Sequence, residues 1–436
     1  MHFALLSNIF PPHIRGGYEL GCQAIARALI RRGHQVEIVT SASIGQLNKA
    51  ASTGDLRVGC LFEPIFEYEE LLIERLRASR YWNKRRDEAF GGLLIPNALS
   101  LSRFLQESKP DVVWIFNPVG LGPIGILEAT LSHRSKCIIH LMDDIDGTFL
   151  THQRCLFLEG RYRRLKSCFT AISCSRKILS KNERIGSYRS HRVIYNGVDF
   201  NQIPYRPDSP HRTDGRCHFV YFGQVSKQKG ILQMLRGARA ANTRAFTLDI
   251  IGRPDSTFEE RLKDEIRAAG LCNEVNLLGF LAREDLLARL GEYDAAVMLL
   301  SDAEPFAFAP IEAVAAGLPV ILTSGGGNAE CFPERYPLMV HDREDQEEIA
   351  RKLEWCVHNV GELPRLGRRL RDHVRVHCDF ESVVMPAYLR TIKTAPINAG
   401  RFCVEDLLSS WTTTKLYNEI SWRGEKKRRS IEEQVE

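Results

Sequence analysis

Phe3-Ala4-Leu5-Leu6, the Pro- and Gly-rich stretch from Asn8 to Gly17, and then Leu20, Cys22, Ile25, Ala26, Leu29 and Ile30 open the chain. The four apolar residues read as a buried strand, the next stretch as a loop, and the spaced apolar positions as one face of a helix. That helix is predicted to stop at Arg31-Arg32-Gly33-His34, where basic side chains meet the helix C-terminus and glycine can take the left-handed cap. Val36-Glu37-Ile38-Val39-Thr40 is the next strand. Strand, glycine-bearing loop, helix and strand within about forty residues make a right-handed parallel unit that opens a doubly wound sheet.

Short buried strands resume at Pro110-Asp111-Val112-Val113-Trp114-Ile115 and Cys137-Ile138-Ile139-His140-Leu141, with two more at Thr170-Ala171-Ile172 and Val193-Ile194-Tyr195. Residues 67–109 are charged and Arg-rich and read as helices packed on the first domain. After Asn196-Gly197-Val198-Asp199 the chain runs irregularly through Pro204, Pro207 and Pro210, a linker pattern. A second alternating series starts at His218-Phe219-Val220-Tyr221-Phe222-Gly223, with strand-like runs at 247–251, 275–278, 295–300 and 319–322. The expected organisation is therefore a Rossmann-like domain over 1–198, a linker over 199–216 and a second Rossmann-like domain over 217–380. A C-terminal helix over 381–398 that could return to the first domain follows, then a basic and aromatic tail over 399–436.

A chain of 436 residues suits two or three domains, and 44% hydrophobic with 26% charged residues places it among globular proteins. No run approaches the roughly 18–20 apolar residues that a membrane-spanning helix needs. The apolar run at the N-terminus is too short for a signal peptide, so a cytoplasmic protein is expected. The twelve cysteines contain no Cys-x-x-Cys pair, and Cys22, Cys60, Cys137, Cys217, Cys272 and Cys356 are read as free thiols in mostly apolar surroundings. A net charge of +5 permits attraction to sugar nucleotides or phospholipid without selecting either, and no nucleic-acid partner is expected.

Three segments place phosphate-compatible residues where strands lead into helices, whose free N–H groups favour anions. The first is Arg15-Gly16-Gly17, which is either a ligand loop or an ordinary tight turn. It lacks the Gly-x-Gly-x-x-Gly fingerprint, which disfavours NAD or FAD. The second runs from Gly223 and Gln224 to Lys229 and Gly230, with Lys229 as a point charge against a phosphate or simply a solvated lysine. The third is Glu304-Pro305-Phe306-Ala307-Phe308-Ala309-Pro310-Ile311-Glu312, with Gly317 and Pro319 beyond it. A helix is predicted from about Ala309, with Pro310 in its first turn. Glu304 and Glu312 are then separated along it by on the order of 10 Å, with the amides of 306–309 between them. That spacing suits an elongated ligand with a diphosphate in the middle and a sugar and a ribose at its ends; the alternative is a surface pair of glutamates.

Phe10-Pro11-Pro12 through Gly16-Gly17, Arg32-Gly33-His34-Gln35-Val36, Tyr195-Asn196-Gly197-Val198-Asp199, Gly223 to Gly230, Glu304 with Glu312, and Ser324-Gly325-Gly326-Gly327-Asn328-Ala329-Glu330 together resemble the family 4 retaining glycosyltransferases (glycosyl transferases group 1). The resemblance spans roughly residues 1–395. It implies the GT-B architecture, an α/β fold of two Rossmann-like doubly wound domains facing across a cleft. It also implies retaining, metal-independent transfer from a nucleotide-diphosphate sugar, held by the second domain, to an acceptor on the first. Glu304 and Lys229 would be catalytic. Gly16, Gly17, Gly223, Gln224, Lys229, Phe306, Ala307, Phe308 and Glu312 would contact the donor, and no cofactor would be needed.

Gln224 stands where the family usually has Arg, and Ala307 replaces a common Gly. The family's His-Asp after the 137–141 strand aligns with Met142-Asp143, with His140 two positions earlier. His140 and Asp143 are therefore candidates for acceptor or sugar contact rather than for the usual role. Asp144-Ile145-Asp146 has an Asp-x-Asp spacing, read as loop capping or acceptor contact rather than metal binding. The implied acceptor is a glycan, a lipid-linked or a small molecule, with first-domain loops such as 42–66 and 117–125 forming its surface. Two other readings stay open: a non-catalytic partner that binds sugar nucleotides, and a sugar-nucleotide epimerase of similar fold. In the tail, Arg423, Lys426, Lys427, Arg428 and Arg429 follow Trp411, Leu416, Tyr417, Ile420 and Trp422, which suits peripheral contact with an anionic membrane or a solvated tail.

Overall fold

The apolar opening strand sits at the middle of a sheet, hydrogen-bonded in parallel on both sides. This is seen in the computed structural model, which describes residues 1–11, 16–41, 50–53, 56–62, 92, 94–151, 158–205, 214–254 and 256–400. The described chain falls into two compact units. Met1–Ser173, Ile178–Val193 and the chain from Tyr388 form the first; Cys174–Lys177 and Ile194–Ala387 form the second.

The first unit contains β1 (His2–Ser7), α1 (Gly17–Arg31), β2 (Gln35–Ser41), β3 (Ala50–Thr53), β4 (Leu56–Phe62), α2 (Ile95–Ser108), β5 (Val112–Asn117), α3 (Pro123–Leu131), β6 (Lys136–Leu141), α4 (Ile145–Thr151), α5 (Glu159–Lys166) and β7 (Thr170–Ser173). The helix α6 (Arg176–Lys181) and the strand β8 (Ser190–Val193) follow. The strand order is β3-β4-β2-β1-β5-β6-β7-β8, parallel throughout except for the β3–β4 hairpin. Phe3, Ala4, Leu5 and Leu6 are fully buried, as a central parallel strand covered on both faces requires. α1 ends as its sequence predicts: the amides of Gly33 and His34 bond back to the carbonyls of Ile30 and Leu29, with Gly33 at φ +77°.

Two readings are corrected. The last strand is Ser190–Val193 rather than Val193-Ile194-Tyr195, because this edge strand is built from the exposed polar residues Ser190, His191 and Arg192. Hydrophobicity alone pointed three residues too late. The loop expected over 42–66 contains β3 and β4, which extend the sheet beyond β2. The helices expected over 67–91, part of the linker (206–213) and the tail from 401 lie outside the described residues; within 67–109, α2 is present.

The second unit contains β9 (Cys217–Phe222), α7 (Ile231–Ala240), β10 (Phe246–Ile251), α8 (Ser256–Ala268), β11 (Val275–Gly279), α9 (Arg283–Arg289), β12 (Ala295–Met298), α10 (Phe308–Ala315), β13 (Val320–Thr323), β14 (Met339–Val340), α11 (Gln346–His358) and α12 (Leu363–Cys378). Its order is β11-β10-β9-β12-β13-β14, all parallel. The winding reverses between β9 and β12, and such a switch point leaves a crevice beyond the strand C-termini where ligands of doubly wound sheets bind. Two of the three segments singled out in the sequence, 223–230 and 304–312, leave the two strands that flank it.

The C-terminal helix α13 (Met385–Thr394) joins the first unit from Tyr388 onward. Lys136 Nζ donates to the carbonyls of Ile392 at 2.9 Å and Lys393 at 2.6 Å, a cation at the negative end of the helix. Tyr388 closes an aromatic cluster with Trp114 and His140, at centroid distances of 5.4 and 5.5 Å. His140 also stacks on Trp114 at 5.8 Å and is 1% exposed. Burial pushes its imidazole pKa down to about 3, so the folded protein keeps it neutral. The unfolded chain takes up a proton below about pH 6.5 that the folded chain refuses. The stabilisation is therefore complete above that value and is lost as pH falls toward 3, about 2 kcal/mol of it by pH 5. His140→Phe is expected to flatten urea-melt stability between pH 7 and 5 by that amount; an unchanged slope would refute the assignment.

Among the described residues, no helix is long and apolar enough to cross a membrane. Cys22, Cys137, Cys217 and Cys356 are buried free thiols, whereas Cys272 is exposed.

Candidate active site

After β9 the chain turns through Gly223 at φ +125° and the short 3-10 turn Lys227–Lys229, then enters α7 at Gly230. Gly230 has φ +76°, and a Cβ there would lie 1.9 Å from the Leu299 carbonyl oxygen. Only glycine lets this loop press so closely against the chain leaving β12. Around Gly223, by contrast, nothing would meet a Cβ within 4 Å, so its empty side faces open space. Gln224 is exposed, and its carbonyl accepts from the Tyr221 hydroxyl at 2.6 Å.

The close approach brings Lys229 onto Glu304: Nζ donates to Oε2 at 2.7 Å, with the two side chains 21% and 14% exposed. The pair is thus largely desolvated yet open to a ligand. Glu304 lies on a loop whose backbone is fixed from several sides. Ser175 Oγ donates to the Pro305 carbonyl at 3.0 Å and Asn196 Nδ2 to the Phe306 carbonyl at 3.1 Å. Asn328, fully buried, grips Ala307 twice: its Oδ1 accepts from the Ala307 amide at 2.7 Å and its Nδ2 donates to the Ala307 carbonyl at 2.8 Å. A Cβ on Gly327 would lie 1.8 Å from the Pro305 carbonyl oxygen, which accounts for glycine there.

This clamp corrects one expectation. The Ala307 amide is spent on Asn328, so Ala307 serves as the N-cap of α10 rather than as an anion donor. The first-turn amides of Phe308 and Ala309 are the ones with no acceptor inside the helix, while Pro310 brings none. The Phe306 side chain is 4% exposed and stacks on Tyr195 at 5.5 Å, which makes it packing for the loop. α10 ends at Ala315, with Gly317 at φ +95° behind it.

One helical segment further, Glu312 is 4% exposed. Burial raises its carboxyl pKa, and the opposing influence is the Arg283 guanidinium, which forms an ion pair with it. Arg283 opens α9 just after β11 and was not marked by any motif; only its position before the helical run Glu284-Asp285-Leu286-Leu287 hints at it. Ser175 and Asn196 were likewise invisible as clamps, since they bond to backbone far away in sequence.

The remaining candidates lie in the first unit. Gly16 has the extended φ of −167°, and nothing would meet a Cβ there within 4 Å, so the fold itself does not demand glycine. Its amide donates to Glu19 Oε2 at 2.9 Å, which removes that amide from ligand binding. Gly17 is the first residue of α1. His140 is enclosed by aromatic rings and touches no surface, which takes it out of the contact set expected from sequence. Asp143 is exposed at the C-terminal end of β6. Asp144 caps its own loop through the Gly147 amide at 2.7 Å and pairs with Arg184. Both Asp146 oxygens accept from the buried Lys166 ammonium at 2.8 Å, with the Tyr162 hydroxyl and the Ile185 amide completing a buried network. The Asp-x-Asp spacing here builds local structure.

Residues 15–202 match the family described as Glycosyltransferase Family 4, and residues 206–373 match Glycosyl transferases group 1. The chain is 26% identical over 353 residues, 76% of its own length and 87% of the relative's, to an uncharacterized 42.6 kDa protein in the cps region of Klebsiella pneumoniae. It is 25% identical over 355 residues, 76% of its length and 82% of the relative's, to an uncharacterized glycosyltransferase of Methanocaldococcus jannaschii. The crystal structure of Anabaena HepE in complex with UDP shares the fold at a TM-score of 0.69 and 17% identity, covering 90% of this chain and 100% of that one.

Proposed function

Because the chain belongs to the group 1, family 4 glycosyltransferases and has their GT-B fold, we propose that its second unit holds a nucleotide-diphosphate sugar and transfers the sugar with retention of configuration. The observation that carries this reading is the Lys229–Glu304 pair at the switch point, beside the first turn of α10. An ammonium has three donors, so Lys229 can keep Glu304 and also take a diphosphate oxygen. The Phe308 and Ala309 amides add donors for the phosphates, and Glu304 orients the sugar. Glu312 accepts from the ribose hydroxyls. Gln224 offers a neutral amide to the diphosphate, a weaker donor than a charged one. Gly223, open on its empty side, lets a ligand approach the backbone.

In the transfer step the bond between the anomeric carbon and the diphosphate oxygen breaks. The acceptor oxygen bonds to that carbon on the same face, and its proton passes to the departing phosphate. Lys229 and the helix amides stabilise the charge that develops on the leaving group. The acceptor is a glycan, a lipid-linked or a small molecule taken by the first unit, with the exposed Asp143 just past the end of β6 as a contact. The Klebsiella relative's place in a cps region favours bacterial surface-polysaccharide or glycoconjugate assembly at the inner face of the cell membrane.

The two glutamates separate the roles. Glu304→Ala is expected to lower kcat by about 100-fold with a small change in donor affinity, the mark of an interaction made mainly in the transition state. Glu312→Ala is expected to raise the Kd of the nucleoside diphosphate by about tenfold. Wild-type kinetics in either variant would contradict the assignment, and an inverted anomeric proton signal in the product would contradict retention.

A further inference from the structure

We propose that Arg283 is the positioning residue of the ribose subsite, aiming the Glu312 carboxylate so that it can accept from ribose hydroxyls. The proposal rests on the donor reading above and adds a residue that the family motifs do not contain.

The Glu312 side chain is 6% exposed and that of Arg283 is 55% exposed, so a buried anion is met by a cation half in water. As a stabilising device this is poor. Desolvating a carboxylate costs several kcal/mol, and a half-solvated partner returns only part of it. An apolar residue at 312 would fill α10 at lower cost. Glu312 lies among Pro310, Ile311, Ala313, Val314 and Ala315, all buried. A charge kept in that setting at a switch-point helix serves a ligand rather than the core. Burial acting alone drives the carboxyl toward its neutral form, and a protonated carboxyl would offer ribose a poorer acceptor. Arg283 opposes that tendency. Its planar fork has five N–H donors and the carboxylate about four acceptor sites, so Arg283 can stay in place while a ribose binds.

The test compares wild type, Arg283→Met and Arg283→Lys by calorimetry with three probes. These are whichever of UDP, GDP and ADP the wild type holds most tightly, the 2′,3′-dideoxy form of the same nucleotide, and inorganic pyrophosphate. Arg283→Met is expected to weaken the ribonucleotide about tenfold and to lose most of the preference over the dideoxy form, leaving pyrophosphate unchanged. Arg283→Lys is expected to recover most of the loss. An unchanged ribose preference in Arg283→Met overturns the proposal, as does an equal loss of pyrophosphate, which would mean a general distortion. If the wild type binds none of the three nucleotides, the donor reading fails and the proposal fails with it. Binding by the wild type with no effect of either substitution sinks the Arg283 assignment alone.

Discussion

Lys229→Ala is expected to lower the transfer rate by about 10²–10³-fold, the usual cost of removing one preorganised stabiliser of developing charge from a desolvated site. Two consequences of the geometry sharpen this. Lys229 Nζ lies 2.7 Å from Glu304 Oε2, so its removal also frees the glutamate proposed to orient the sugar. It further leaves a carboxylate that is only 14% exposed without its cation, which repels an incoming diphosphate. Donor KM should therefore rise together with the fall in kcat. Steady-state rates on the true donor, with circular dichroism to confirm folding, decide the matter. A loss of less than tenfold would mean that the diphosphate sits elsewhere.

Gly230→Ala is expected to destabilise the second unit by about 2–5 kcal/mol, the sum of left-handed backbone strain and steric overlap. The overlap is with backbone: the new Cβ would lie 1.9 Å from the Leu299 carbonyl oxygen, and no rotamer relieves that. For a unit of this size the melting temperature should fall by roughly 2–4 °C per kcal/mol. Gly223→Ala is the internal contrast, because the space beside Gly223 is open and only its φ of +125° is strained. Calorimetric scans of both variants should show a clearly larger drop for Gly230→Ala. Equal drops would mean that the β9 and β12 loops are not in the contact described.

Much of this architecture could be read from periodicity because the central strands of both sheets are parallel and buried on two faces. Phe3–Leu6, Val112–Ile115 and Phe219–Phe222 appear as apolar runs between loops for that reason. Strands without that constraint were misplaced or missed. β8 is an exposed polar edge, and β14 is only two residues long. Within the site, Lys229, Glu304 and Glu312 were marked by sequence because glycine, proline and charge fall at loop-to-helix boundaries. What fixes them was not marked. Asn328 sits inside a quoted motif, yet its double grip on Ala307 depends on a fold that brings residues 21 positions apart together. Arg283 reaches Glu312 from another βα loop. The His140 reading failed for a related reason: strand alternation gives the face of the sheet, but the helix covering that face arrives from residue 388.

If Lys229 holds the diphosphate of a nucleotide sugar, donor binding to the second unit must depend on it. Thermal denaturation of wild type and Lys229→Ala across UDP-, GDP- and ADP-sugars decides this. A ligand bound to the folded state at 100 times its Kd adds about 2.7 kcal/mol of stability. At least one donor is predicted to raise the wild-type melting temperature by several degrees, and Lys229→Ala should lose most of that rise. A wild-type protein unmoved by every donor at millimolar concentration, or a variant shifted as far as the wild type, would rule out donor binding through Lys229.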